Sequence, residues 1–223
     1  FWRADEQYRP FFHAVDAGFP VVSLLYYSEI ADPTAKTEVV TTVRKSLAFE
    51  FATTREVPNP FGYARQYVQD KSGERYTSFF FPHNTEAAPW WQGENARLAS
   101  LAAAARLAAP HFKDDSTFYK ELQAYASNQL NWILGLNPFD TCMLYGVGRN
   151  NPQYMFFDSW EFTNAPGGIS NGITSGFRDE DDIDFNLTYK QTGADNDWRW
   201  QEQWLPHDAW YLLAVSSAEF ANP

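Results

Sequence analysis

The chain has 223 residues, enough to bury a substantial core. Its 17 Lys and Arg against 28 Asp and Glu leave a net charge of -11, which repels a phosphate backbone or an anionic membrane surface and excludes nucleic acid as an expected partner. A hydrophobic fraction of 44% argues against disorder, and no run approaches the roughly 20 apolar residues that a membrane span needs.

In chain order, the first element is a helix within the Ala, Val, Leu and Tyr-rich stretch from His13 to Ala31. Asp32-Pro33 then supplies an N-cap and a proline suited to a first helical turn. From Pro33 to about Thr54, Val39, Val40, Val43, Leu47, Phe49 and Phe51 recur at mostly helical spacing opposite Lys36, Arg44 and Lys45. Arg55 to Gly93, broken by Pro58, Pro60, Pro82 and Pro89, reads as loop. An Ala-rich helix follows over Glu94 to Ala109, stopped by Pro110. Asp114-Asp115-Ser116 caps another, whose stripe Phe118, Leu122, Tyr125, Leu130, Ile133 and Leu134 ends at Gly135. Phe139 to Gln203 is rich in Gly and Pro and is expected to lack a helix and to form the wall of a site. Trp204 to Phe220 closes the chain as a last helix. Hardly any strand signal is present.

Two features bear on chemistry. Nine Trp, 12 Tyr and 19 Phe amount to 18% of the chain, and several sit in Gly, Asn and Asp-rich segments. A ring in a polar loop can stack on the apolar face of a sugar while nearby carboxylates and amides bond its hydroxyls. The single cysteine, Cys142, cannot make an internal disulfide and leaves the compartment open. The opening Phe1-Trp2-Arg3 is neither an initiator nor a signal segment, so the chain reads as an excerpt of a longer one.

Asn128 to Pro138, with its Leu134-Gly135-Leu136-Asn137-Pro138 ending, is followed by Gly146-Val147-Gly148-Arg149-Asn150-Asn151-Pro152 and by the Gly-rich turn Gly167 to Gly172. In these motifs the sequence resembles glycoside hydrolase family 9, the cellulase family of inverting enzymes. Trp90-Trp91-Gln92-Gly93-Glu94, before the Ala-rich helix, fits the same pattern. The resemblance covers the chain from about Trp90 onward.

It implies an all-α fold, the C-terminal portion of an (α/α)6 barrel with long loops at the active-site end, with residues 1–223 forming one partial catalytic domain that lacks its N-terminal hairpins. It implies inverting acid/base hydrolysis of a β-linked glucan or related oligosaccharide, and a secreted or periplasmic location. Glu202, in Trp200-Gln201-Glu202-Gln203-Trp204, occupies the place of the general acid. The family's paired-aspartate motif, which holds the base, has no counterpart in this sequence and is assigned to an N-terminal remainder of the same enzyme. Where the cellulases carry a His-His-Arg stretch this chain has Phe156, Phe157 and Asp158, so the substrate need not be cellulose.

An apolar setting of Trp198, Trp200 and Trp204 would raise the pKa of Glu202; the plain alternative is a glutamate favouring a helix N-terminus. Expected substrate-binding residues are Trp90, Trp91, Tyr154, Asp158, Trp160, Asp195, Asp197, Trp198 and Trp200, although turn chemistry alone accounts for Asp195-Asn196-Asp197. No cofactor is required. The acidic run Asp179 to Asp184 lacks the alternation of an EF-hand loop and reads as a solvated loop, with calcium a minor option. His207 and Asp208 lack a third ligand for zinc. The competing function is a non-catalytic carbohydrate-binding or structural helical module, which would have no use for a carboxylate at 202.

Overall fold

The computed structural model describes residues 1–82, 84–85, 93–153, 165–176, 183–184 and 198–217. Helix α1 spans Phe19–Ile30 and α2 spans Pro33–Thr54. They form an antiparallel hairpin because Asp32 interrupts the backbone between them: its carboxylate accepts from the Thr34 and Ala35 amides at 2.9 and 3.0 Å. Helix α3, Glu94–Ala108, is followed by a 3-10 turn over Ala109–Phe112, and α4 covers Ser116–Ile133. Asp115 caps α4 by accepting from the Phe118 amide at 3.1 Å. A short α5, Trp198–Gln201, precedes α6, Leu205–Ser216.

The Ala-rich composition of α3 explains its place at the centre. Side chains of one carbon let neighbours approach closely, and α3 packs against α1, α4 and α6. Gly18 marks the tightest approach: a Cβ there would fall 2.0 Å from the Ser100 carbonyl oxygen of α3. The Gly18 amide donates to Ser100 Oγ at 3.0 Å instead. Around this axis Leu47, Leu98, Leu122 and Ile133 are fully buried.

At the start of α3 lies a buried ion pair. Arg97 donates twice to Glu94 Oε2, at 2.9 and 3.0 Å, and also to the Ala64 carbonyl at 2.9 Å. The Tyr63 hydroxyl donates to the same carboxylate oxygen at 2.5 Å. These partners hold a charge pair in the core that would otherwise be costly to bury.

The segment read as loop before α3 contains a hairpin, β1 Gln66–Gln69 and β2 Arg75–Ser78, antiparallel with Gln66 opposite Ser78. Its strands are short and carry polar side chains on both faces, so no alternation announces them. Asp70 Oδ1 organises the turn, accepting from the Ser72 and Glu74 amides at 2.8 and 2.9 Å. A second pair, β3 Thr174–Ser175 with β4 Ile183–Asp184, and α5 both lie in the stretch expected to lack regular structure. The first helix begins at Phe19 and not near His13. None of the described helices is long and apolar enough to cross a membrane.

Candidate active site

The site is built from three chain segments laid side by side beyond the C-terminal end of α4. The motif residues after α4 shape the first. Gly135 takes φ +117°, and the Asn137 amide bonds the loop to itself, donating to the Trp132 and Thr141 carbonyls at 2.8 Å each. Asn151 does the same further on, donating to the Cys142 and Val147 carbonyls at 2.8 Å each. The Met143 amide then reaches back to the Ile133 carbonyl at 2.8 Å. The Asn and Gly residues of these motifs therefore do structural duty.

The second segment is the Gly-rich turn. Ser170 donates to the Met143 carbonyl at 3.2 Å and Tyr145 to the Gly168 carbonyl at 3.0 Å. The third segment carries Glu202. The Gly172 amide donates to the Trp200 carbonyl at 3.1 Å, the Asn171 amide to the Glu202 carbonyl at 2.7 Å, and Gln203 Nε2 to the Gly168 carbonyl at 3.3 Å. Helix α3 locks the second segment from behind. Asn95 Nδ2 donates to the Ser170 carbonyl at 2.8 Å, and the Asn95 amide to the Asn171 carbonyl at 3.0 Å. Gly172 has φ +95°, and a Cβ there would lie 2.6 Å from the Asn95 side chain, so only glycine admits this approach.

Glu202 is 5% exposed. Burial pushes its carboxyl above the usual range, while hydrogen bonds from the Trp204 and Asn171 side chains pull the other way. Trp204, expected only as apolar surface, therefore also acts as a donor that favours the ionised form. Its ring lies over the N-terminus of α3, with a Cβ on Gly93 at 3.6 Å from Cζ3. Helix α6 begins at Leu205 with Trp204 as its cap, and the acidic residue in its first turn is Asp208. Glu202 thus sits outside the helix, and the plain reading of a helix-favouring glutamate does not describe it.

Two neighbours complete the surroundings. His207 is fully buried and held neutral, its pKa pushed down to about 4 by burial. Its Nδ1–H donates to the Trp204 carbonyl at 3.1 Å. Asp208 Oδ1 accepts from the Ile169 amide at 3.0 Å, and burial raises its carboxyl. These two residues are thus each tied to a backbone group, and the described residues contain no group of three metal-ligating side chains.

Of the expected sugar-binding residues, Trp200 is described in full. It is 1% exposed and belongs to the core, so its indole offers no open stacking face. Its sequence neighbours in Trp200-Gln201-Glu202 are buried too, because this segment is sandwiched by the Gly-rich turn. Trp198 belongs to α5, and its side chain lies outside the description. Trp90, Trp91, Tyr154, Asp158, Trp160, Asp195 and Asp197 lie outside the described residues, as does the acidic run from Asp179 to Asp182. The sequence alone did not single out Asn95 and Asn171 as partners of this site. Asn171 stood in a turn motif and Asn95 at the head of an Ala-rich helix, and they meet through the bond of the Asn95 amide to the Asn171 carbonyl, between residues distant in sequence.

Residues 30–200 match the family model of Glycosyl hydrolase family 9. The chain belongs to that family, and its helices form part of an (α/α)6 barrel. It is accordingly a glycoside hydrolase, whose substrate is a carbohydrate. The match ends just ahead of Glu202. No curated protein matches the chain.

Proposed function

We propose that the chain supplies the general acid of an inverting hydrolase that cleaves a β-linked glucan or related oligosaccharide, and that Glu202 is this acid. The observation that carries the reading is the setting of the Glu202 carboxyl: buried, shifted upward, and bonded by Trp204 and Asn171. A general acid must hold its proton at working pH, and burial serves that end. In the cleavage step the glycosidic C–O bond breaks as the Glu202 proton passes to the leaving oxygen. Water attacks the anomeric carbon from the opposite face and gives its proton to a second carboxylate, about 6.5 to 9.5 Å from the first in such enzymes. That base, with its paired-aspartate motif, belongs to an N-terminal part of the barrel.

An exposed apolar surface supports the need for such a part. On α1, Phe19, Tyr26, Tyr27 and Ile30 share one face, and Ile30 is 85% exposed. Leu205 and Leu212 do the same on α6, and the two helices adjoin through an edge contact of Phe19 with Trp210. Further hairpins of the same barrel would cover this surface. The proposal takes residues 1–223 as a single partial domain of a secreted or periplasmic enzyme that acts without a resident cofactor.

The test is Glu202→Gln in the protein that carries the whole barrel. The amide keeps the shape but has no transferable proton. Turnover of cellotetraose, with its poor leaving group, should fall by on the order of 10² to 10⁴, and 2,4-dinitrophenyl β-cellobioside should be affected far less. Equal losses on both substrates in a folded variant, or unchanged turnover, would remove Glu202 from the acid role, whereas no turnover in the unsubstituted protein would favour a non-catalytic module.

A further inference from the structure

We infer that Asn171 is a positioning residue, which fixes the Glu202 carboxyl by holding its main chain and its side chain at once. This rests on the acid reading of Glu202 for its functional meaning, though not for its geometry. The Asn171 amide N–H donates to the Glu202 carbonyl at 2.7 Å, and its side-chain amide bonds the Glu202 carboxyl. The main-chain bond fixes the backbone from which the glutamate side chain springs, and the bond to the carboxyl restrains its χ angles. Asn171 is itself immobilised. It is fully buried, its carbonyl accepts from the Asn95 amide at 3.0 Å, and flanking Ser170 and Gly172 bond Met143 and Trp200. The carboxyl is thus referred, through one asparagine, to the first turn of the central helix α3.

The chemistry also selects the residue type. A carboxyl that alternates between acid and carboxylate needs a neighbour that donates to the charged form without itself titrating, and an amide does so at every pH. Aspartate at 171 would keep the shape while replacing the donor with a like charge. The titratable and charged groups on the elements around Glu202 are Glu94, Arg97 and Arg106 of α3, Arg199 of α5, His207, Asp208 and Tyr211 of α6, and Asp140, Cys142, Tyr145 and Arg149 of the first segment. Glu94 and Arg97 are closed on each other, Arg199 Nη1 donates to the Ser175 carbonyl at 3.1 Å, His207 is neutral, and Asp208 bonds Ile169. The Cys142 thiol is held up by burial and so stays neutral.

The experiment is a carboxyl titration by NMR on the full protein labelled with [δ-13C]glutamate, with the Glu202 signal identified by its loss in Glu202→Gln. In Asn171→Asp and Asn171→Ala the Glu202 midpoint should move upward by about one pH unit, since a donor to the carboxylate is lost. In the same variants kcat on cellotetraose should fall tenfold or more, with kcat on 2,4-dinitrophenyl β-cellobioside much less affected. An unmoved Glu202 midpoint in either folded variant overturns the assignment. So does failure of both variants to fold, which would make Asn171 a structural pin only. Failure of the acid reading shows separately, as equal losses in Glu202→Gln on the two glycosides, and leaves the titration result standing on its own.

Discussion

His207 shows how far a single residue can be committed to one protonation state. Burial keeps it neutral, at about 4 against an ordinary 6.5, while the bond to the Trp204 carbonyl pulls the other way. Below pH 6.5 the unfolded chain takes up a proton on this imidazole that the folded chain refuses down to about 4. Stability due to His207 is therefore present above pH 6.5 and lost as pH falls through that window. The full loss is about 3 kcal/mol, from 1.36 kcal/mol per unit. Glu50 acts in the opposite sense. Burial raises its carboxyl to about 7, with Arg97 pulling back, so the folded chain keeps a proton that the unfolded chain releases above 4.5. Its contribution is present at low pH and lost as pH rises. Urea unfolding followed from pH 4 to 8 should therefore be steeper in pH for Glu50→Gln than for the native chain, and flatter or reversed for His207→Gln. Identical pH dependence in all three would show that neither group titrates as described.

At the scale of elements, glycines separate two kinds of demand. Gly172 needs both a positive φ of +95° and empty space, because Asn95 occupies the place of any Cβ. Gly73, in the β1–β2 turn, has a φ of +93° with nothing within 4 Å. Gly73→Ala should cost only the backbone strain, about 1 kcal/mol. Gly172→Ala adds an overpacking penalty and should cost more than about 2 kcal/mol. Urea midpoints of the two variants check the contrast; equal costs would mean that α3 yields to the added carbon. What the sequence made legible follows the same division between local and distant causes. Asp32 and Asp115 announce α2 and α4 because a cap acts within three residues, and the Ala-rich run announces α3. The β1–β2 hairpin escaped notice because its four-residue strands lack alternation, and α5 because four residues give no period. Glu202 became a candidate through resemblance. Its partners Asn171 and Asn95 did not, since nothing local in a Gly-rich turn or a helix start points to residues so distant in sequence.

At the scale of the molecule, the α1 and α6 faces bear on the proposal that the base lies in an N-terminal part of the barrel. Residues 1–223 produced alone should show no glycosidase turnover and should bind a hydrophobic dye through the surface bearing Ile30, Leu205 and Leu212. Adding the N-terminal part in trans, or in one chain, should suppress the dye signal and bring activity. Robust hydrolysis by the 223 residues alone would sink the two-part description.

The Asp16 carboxylate accepts from Trp210 Nε1 at 2.8 Å across 194 residues of chain, and Asn95 meets Ser170 across 75. Each such closure must wait until the intervening polypeptide has largely found its place, because the entropy of a long loop is lost before the contact repays it. Helices α2 and α4, capped from within, can form early. The arrangement around Glu202 belongs to the last events of folding. On the proposal that Glu202 is the acid, a chain still leaving the ribosome would carry its helices before that carboxyl is in place, and cleaving power would arise only on completion of the fold.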